Sequence, residues 1–313
     1  MAEPQQGFVN YVAQQVVSAI GSIQEEKLMA TLRSLTAAPS ANWTMLPGFA
    51  FTSQEVSNRA GISIDVVNKV LAAFSLSEEA RNDGFNSLHD FNITNATPLL
   101  RRNAQEFVLF QQVSLLEALY EAPFYWMGAD PEYSQIALGH RGRFTEAFAR
   151  ERLEHVFGRA HVHFNVRVLR KKGEALGEID VLVLFGDRAI VLQAKSKRMT
   201  LEARKGNDLQ IKDDFKKAED AYDQASLCAL ALDDPDCKLI DSNGSSVEIA
   251  FPLKKIYLMC ILADHYPALS FQARQFLNYH SSDKIAPPLA TDVFALDAQA
   301  EFLDSPLHFL SYL

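Results

Sequence analysis

One short stretch, residues 177–195, constrains the fold of this chain more than any other. Residues 179–185 and 189–195 are both rich in Val, Leu and Ile. The pair between them, Gly186 and Asp187, suits a two-residue hairpin loop. If that pair is the whole loop, Phe185 lies opposite Arg188, and the same antiparallel register sets Asp180 against Gln193 and Glu178 against Lys195. Side chains two apart share a face of a strand, so four polar groups are expected on one side, at one end of an apolar hairpin. The alternate positions, Ile179, Val181, Ile190, Leu192 and Ala194, form the other face. A three-residue loop would slip the register by one and scatter the cluster.

Two carboxylates and an amide oxygen are hard ligands suited to Mg²⁺. A lysine beside them can position a water or offset charge building on a phosphate. Carboxylate, divalent cation and lysine together are the equipment for phosphodiester hydrolysis. A purely structural arrangement, with a Glu178–Lys195 cross-strand ion pair beside a hydrogen-bonded Asp180–Gln193 pair, fits the same register. Charge distribution separates the two readings. The chain as a whole carries −9, which disfavours a polyanion partner. Residues 141–217, however, hold 18 basic and 11 acidic side chains, net +7, while the segments before and after carry −7 and −9. The polar cluster therefore lies within the only electropositive part of the sequence.

Apolar periodicity predicts a helix over residues 8–35, with Phe8, Val12, Val16, Ile20 and Ile23 on one side. Thr52 and Glu55 have capping-box spacing, Gly61 suits a turn, and Ser63 can cap a second helix bearing Val67, Val70, Leu71 and Phe74. With a hairpin expected over residues 98–110, the outline is a winged-helix-like module at about 52–110. Its would-be recognition helix carries Asp65 and a single basic residue, Lys69. Phosphate neutralisation underlies DNA affinity, so packing or protein contact is the favoured role over reading DNA. Residues 122–127 read as a buried aromatic stretch or hinge. Helices are then expected at 143–157, 208–232 and 271–277, and strands at 162–169, 247–251 and 256–262.

The segment from Gly142 to about Leu232 resembles the PD-(D/E)xK, or restriction-endonuclease-like, nucleases, specifically the NERD and Mrr-like branches. There an Asp ends one strand and a (D/E/Q)xK motif lies on the next, as Asp180 and Gln193-Ala194-Lys195 do here. Glu146 matches the acidic residue that these families carry on the preceding helix, and the stretch from Asp213 to Gln224 resembles the helix that follows their core. The resemblance implies a metal site for Mg²⁺ (or Mn²⁺) formed by Asp180, Gln193, Glu146 and the Ala194 carbonyl. It assigns the attacking water to Lys195, with Glu178 as a further acidic group. Gln193 departs from the usual Asp or Glu and removes one negative charge, as in active Mrr-like members.

The expected architecture is α/β. A helical, winged-helix-like region at 1–135 precedes a nuclease-like domain at 136–313, whose core at about 142–262 is a mixed central sheet flanked by helices. The expected function is metal-dependent endonucleolytic cleavage of DNA, in defence against foreign DNA or in nucleic-acid processing. A nuclease for RNA or structured DNA, and a catalytically silent nucleic-acid-binding or scaffolding module, are the alternatives. Lys197, Arg198, Arg204, Lys205 and Lys212 are the expected phosphate contacts. Double-stranded DNA is the first partner, and cutting both strands leaves room for a homodimer or a partner protein.

No apolar run approaches the ~18–20 residues that span a bilayer. Three cysteines without CxxC spacing argue against a disulfide framework, and a cytoplasmic protein is expected. His140, His155, His161 and His163 lack zinc-ligand spacing, and the acidic turn at Asp233–Asp236 lacks the rest of a calcium loop. The apolar end, Pro306–Leu313, suggests a piece of a longer polypeptide.

Overall fold

A computed structural model describes residues 3–37, 42–76, 82–87, 90, 92–128, 130–170, 173–196, 208–263 and 279–313. The chain is mixed α/β and divides into two compact units, Met1–Ser134 and Gln135–Leu313. No helix among the described residues is long and apolar enough to cross a membrane.

The first unit is mainly helical. A long helix α1 (Glu3–Ala37) and a short α2 (Leu46–Phe49) lead into β1 (Ala50–Thr52), α3 (Ser53–Ala60) and α4 (Ile64–Ala73). The Thr52 capping box forms: the Thr52 hydroxyl accepts from the Glu55 N–H at 3.2 Å, and Glu55 Oε2 accepts from the Thr52 N–H at 2.8 Å. Gly61, at φ 66°, takes the left-handed turn that ends α3. Ser63 stands at the start of α4, but its side chain makes no capping bond. β2 (Leu100–Arg101) and β3 (Glu106–Val108) pair antiparallel, and β1 adds to β3 for a three-stranded sheet in the order β1-β3-β2. Val16, Ile20 and Ile23 of α1 meet Phe51, Val67, Leu71, Leu99 and Phe107 in one core.

Residues 122–127 fall inside helix α5 (Gln112–Gly128), and the side chains of Phe124 and Tyr125 lie outside what is described. Trp126 rests against Phe74 with ring centroids 5.3 Å apart, while both Trp126 and Met127 stay exposed.

The second unit is built on a six-stranded sheet in the order β7-β4-β5-β6-β8-β9. Its strands are β4 (Val162–Leu169), β5 (Ala175–Phe185), β6 (Arg188–Lys195), β7 (Lys238–Ile240), β8 (Lys255–Leu262) and β9 (Leu289–Asp292). β6, β8 and β9 run parallel and the other pairings are antiparallel. A parallel neighbour requires a long crossover, and between β6 and β8 that connection contains helix α7 (Asp208–Ala231).

Ala221, Tyr222, Ala225, Cys228 and Ala229 of α7, at helical spacing, bury against Leu182, Val191 and Leu258 of the sheet. Helix α6 (Ser134–Phe157) covers the opposite face, where Phe157 meets Phe185 at 5.9 Å between ring centroids. Helices α8 (Val293–Phe302) and α9 (Pro306–Tyr312) follow β9, and Phe309 of α9 is fully buried, its ring 5.6 Å from Phe157.

One strand expectation meets another outcome. Residues 247–251 are not a strand: Ser246 makes a single bridge to Ile240, and Phe251 is 60 % exposed. Pro252 follows directly and has no N–H for a ladder. The helix expected at 271–277 lies outside the described residues.

Candidate active site

The β5–β6 hairpin closes with a two-residue turn. Gly186 takes φ 58°, Phe185 pairs with Arg188, and the ladder continues in the predicted register to Val181 opposite Leu192. There it stops. Below that rung β5 remains paired with β4, through Ile179 opposite Val166 and Glu178 opposite Arg167. β6 remains paired with β8, through Gln193 opposite Cys260 and Lys195 opposite Leu262. The two strands fork, and the polar residues stand at the fork.

Side chains stitch the opening. Asp180 Oδ2 accepts from the Ala194 N–H at 2.7 Å, taking the place of a rung. The Gln193 amide donates to the Glu178 carbonyl at 2.6 Å. Gln224, on α7, donates to the same carbonyl at 3.0 Å and accepts from Lys195 Nζ at 3.4 Å. The Lys195 carbonyl accepts from the Ala263 N–H on the β8 side. Alternation along β6 therefore turns the Ala194 N–H and C=O toward the fork.

Face alternation in β5 breaks at Asp180. Ile179 packs in the same core as Leu182 and Val191, against α7, although strict alternation would place it on the other face with Val181. The register sets Asn165 of β4 opposite Asp180, and Asn165 has φ 49°, the one non-glycine residue with positive φ among the described residues. A local inversion of this kind turns Asp180 edge-on into the fork and directs Glu178 toward the α6 face. The four polar side chains consequently do not share one face. Among the described residues, Glu178 and Lys195 form no ion pair, and Gln193 bonds the backbone rather than Asp180, so the purely structural pairing is absent.

The left-handed region costs a side chain branched at Cβ about 1–2 kcal/mol, and Asn and Gly tolerate it. Asn165→Val is expected to be less stable than Asn165→Gly by about that amount in urea unfolding. Equal midpoints for the two variants would show that the inversion does not depend on this residue.

Glu146 lies on α6, half-buried. Burial holds its carboxyl above the usual carboxylate range. The charges of Asp180 and then Glu178 push it further in that direction, and Lys195 and Arg143 partly offset them. Asp180 is also raised, first by burial, against the opposing effects of the Ala194 N–H and Lys195. Behind the site, burial and the Asp180 charge push the Cys228 thiol up to about 11. Burial pushes the Cys260 thiol up to about 12. The site is thus backed by buried, neutral thiols.

Gln193 is fully buried, and its Oε1 has no hydrogen-bond partner among the described residues. An orphaned acceptor of this kind costs about 1–3 kcal/mol unless something meets it. The Asp180 carboxyl, raised by burial, stands at the same fork, and Glu146 is near enough for the Asp180 charge to raise it further. A buried orphaned oxygen and two carboxyls held above their usual range suit a divalent cation. No three His, Cys, Asp or Glu side chains converge among the described residues, so a donor set here would have to draw on amide and peptide oxygens as well as carboxylates.

No protein-family model matches the chain, and no curated protein matches it.

Of the remaining predicted contacts, Lys197, Arg198, Arg204 and Lys205 lie outside the described residues. Lys212 falls on α7 in the part whose side chains are not described. Gln224 was not singled out from the sequence. It lies 29 residues beyond Lys195 on a helix of ordinary amphipathic pattern, and only the fold brings the two together.

Proposed function

We propose that the unit Gln135–Leu313 is a metal-dependent nuclease of the PD-(D/E)xK kind, in the style of the Mrr-like and NERD branches, which hydrolyses DNA phosphodiester bonds. The observation that carries the reading is the unpartnered, fully buried Gln193 Oε1 at a fork shared with the Asp180 carboxylate and the Lys195 amine. A cluster needed only for folding would satisfy its own buried acceptors.

Asp180, Gln193 Oε1, the Ala194 carbonyl and Glu146 would hold Mg²⁺ or Mn²⁺. The cation, when bound, supplies Lewis-acid polarisation of the phosphoryl group and a lowered pKa for water. Lys195 orients the attacking water and offsets charge developing on the phosphate. Glu178 adds negative potential on the α6 side. Lys197, Arg198, Arg204, Lys205 and Lys212 provide the electropositive approach, in keeping with the net +7 of residues 141–217. The winged-helix-like order of the first unit is read as a contact module rather than a sequence reader, because the exposed positions of α4 offer Asp65, Asn68 and a single Lys69.

Supercoiled plasmid incubated with the protein and Mg²⁺ or Mn²⁺ is expected to be nicked or linearised. EDTA is expected to stop the reaction, and Lys195→Ala to reduce it by at least about a hundredfold. Cleavage that survives in Lys195→Ala would remove this mechanism. Inertness of the wild type toward plasmid, single-stranded DNA and RNA with both metals would favour a silent nucleic-acid-binding module.

A further inference from the structure

One side chain spans the fork. The Gln224 amide nitrogen donates to the β5 backbone at the Glu178 carbonyl, and its oxygen accepts from Lys195 Nζ on β6. The amide group is bidentate across two strands that have no ladder between them at this level. Among the described residues no other bond holds the Lys195 amine, and the ion pair available to it, with Glu178, is not made. Lysine has four rotatable bonds, and restraining such a side chain costs about 1.5–2 kcal/mol of rotamer entropy. A lysine that must act at one point in space therefore needs a partner that fixes it, and the Gln224 side-chain oxygen is placed to be that partner.

Gln224 is itself firmly placed. Its neighbours on α7, Tyr222, Ala225 and Cys228, are buried in the sheet core. The Cys228 thiol also points toward the Glu178 carbonyl, at 3.9 Å. Gly177 approaches so closely that a Cβ there would stand 2.9 Å from Cys228 Sγ. Helix and strand are locked together at this point, so the amide is presented from a rigid base.

We propose that Gln224 is a positioning residue that sets the Lys195 amine relative to Asp180, acting through its carbonyl oxygen. Its nitrogen anchors it to β5, and its oxygen carries the effect on Lys195. The kinetic part of the test rests on the nuclease reading, and the spectroscopic part does not.

Two variants separate the halves of the amide. Gln224→Leu keeps the approximate volume and loses both bonds. Gln224→Glu keeps an oxygen for Lys195 and loses the donor to Glu178. Misplacing a catalytic group by about an ångström costs on the order of 10–100-fold in rate. At saturating metal, Gln224→Leu is therefore expected to lower kcat by about 10–100-fold with KM for DNA nearly unchanged, and Gln224→Glu to recover most of the loss. Equal loss in both variants, or a loss confined to KM, would overturn the positioning role.

The second readout is the NMR signal of the Lys195 ε-methylene, assigned by its disappearance in Lys195→Met. It is expected to be restrained in the wild type and in Gln224→Glu, and to move toward the mobile signal of surface lysines in Gln224→Leu. A Lys195 signal unchanged in a folded Gln224→Leu protein would overturn the proposal whether or not the wild type cleaves DNA. Should the wild type cleave nothing while the signal responds as expected, the nuclease reading fails and the positioning contact stands.

Discussion

Asp180→Asn is expected to abolish cleavage and, in the metal-free protein, to raise stability at neutral pH. The two effects have one origin. Burial holds the Asp180 carboxyl above its ordinary range, so the native state binds that proton more tightly than the unfolded chain does. A carboxyl raised in this way costs the fold nothing below its unfolded pKa. The cost grows as pH rises through the usual carboxylate range and is complete above the folded pKa. Asparagine carries no charge at any pH and still offers an oxygen to the Ala194 N–H, which now bonds Asp180 Oδ2 at 2.7 Å. It also relieves Glu146, whose carboxyl is raised partly by the Asp180 charge.

Urea midpoints for the metal-free proteins should therefore favour the variant at pH 7 and converge toward about pH 3. Added Mg²⁺ should stabilise the wild type and have little effect on the variant, because a ligand that binds only the native state stabilises by mass action. Cleavage should fall by at least about a hundredfold. A variant less stable than the wild type at neutral pH would mean that Asp180 serves the fold rather than a cation.

Leu182→Ala is expected to have the largest effect on stability. Leu182 is fully buried at the centre of the sheet, between Val191 on β6 and His163 on β4, in the core that α7 covers. Removing its side chain leaves a cavity beneath a sheet held by partners on both sides and unable to collapse. Such changes cost about 2.7–5 kcal/mol. Phe302→Ala provides the contrast. Phe302 is larger but 83 % exposed, and its loss should shift the midpoint by less than about 0.5 kcal/mol. Similar shifts for the two variants would place the core of this unit elsewhere.

The hairpin was legible because its turn chemistry and its period of two are local signals. Gly186 and Asp187 set the register, and the observed pairs from Val181 with Leu192 to Phe185 with Arg188 follow from them. The strand at 162–169 and the capping box at Thr52 and Glu55 were legible for the same reason. What the turn could not convey is where pairing ends. That is decided by β4 and β8, which draw the two strands to opposite sides, and by Asn165, whose positive φ has no sequence signature in a run of strand residues.

Helix α6 begins at Ser134 rather than near Arg143. Its first turns carry no regular apolar stripe, and Gly139 and Gly142 weaken the helical pattern. Gln224 was hidden because long-range contacts leave no trace in periodicity.

The point at which the ladder ends has a consequence for how such a protein can change over generations. Five rungs of the hairpin hold β5 to β6, and Asp187, paired with Arg188 and Lys254, closes the turn at the far end. Asp180, Gln193 and Lys195 all lie beyond the last rung. The groups assigned to chemistry and the groups that hold the hairpin are thus drawn from different residues of the same two strands. Substitutions at the mouth can exchange one ligand set for another, or erase it, while the rungs behind keep the sheet assembled. A chain built this way can pass between active and inert descendants without passing through an unfolded one.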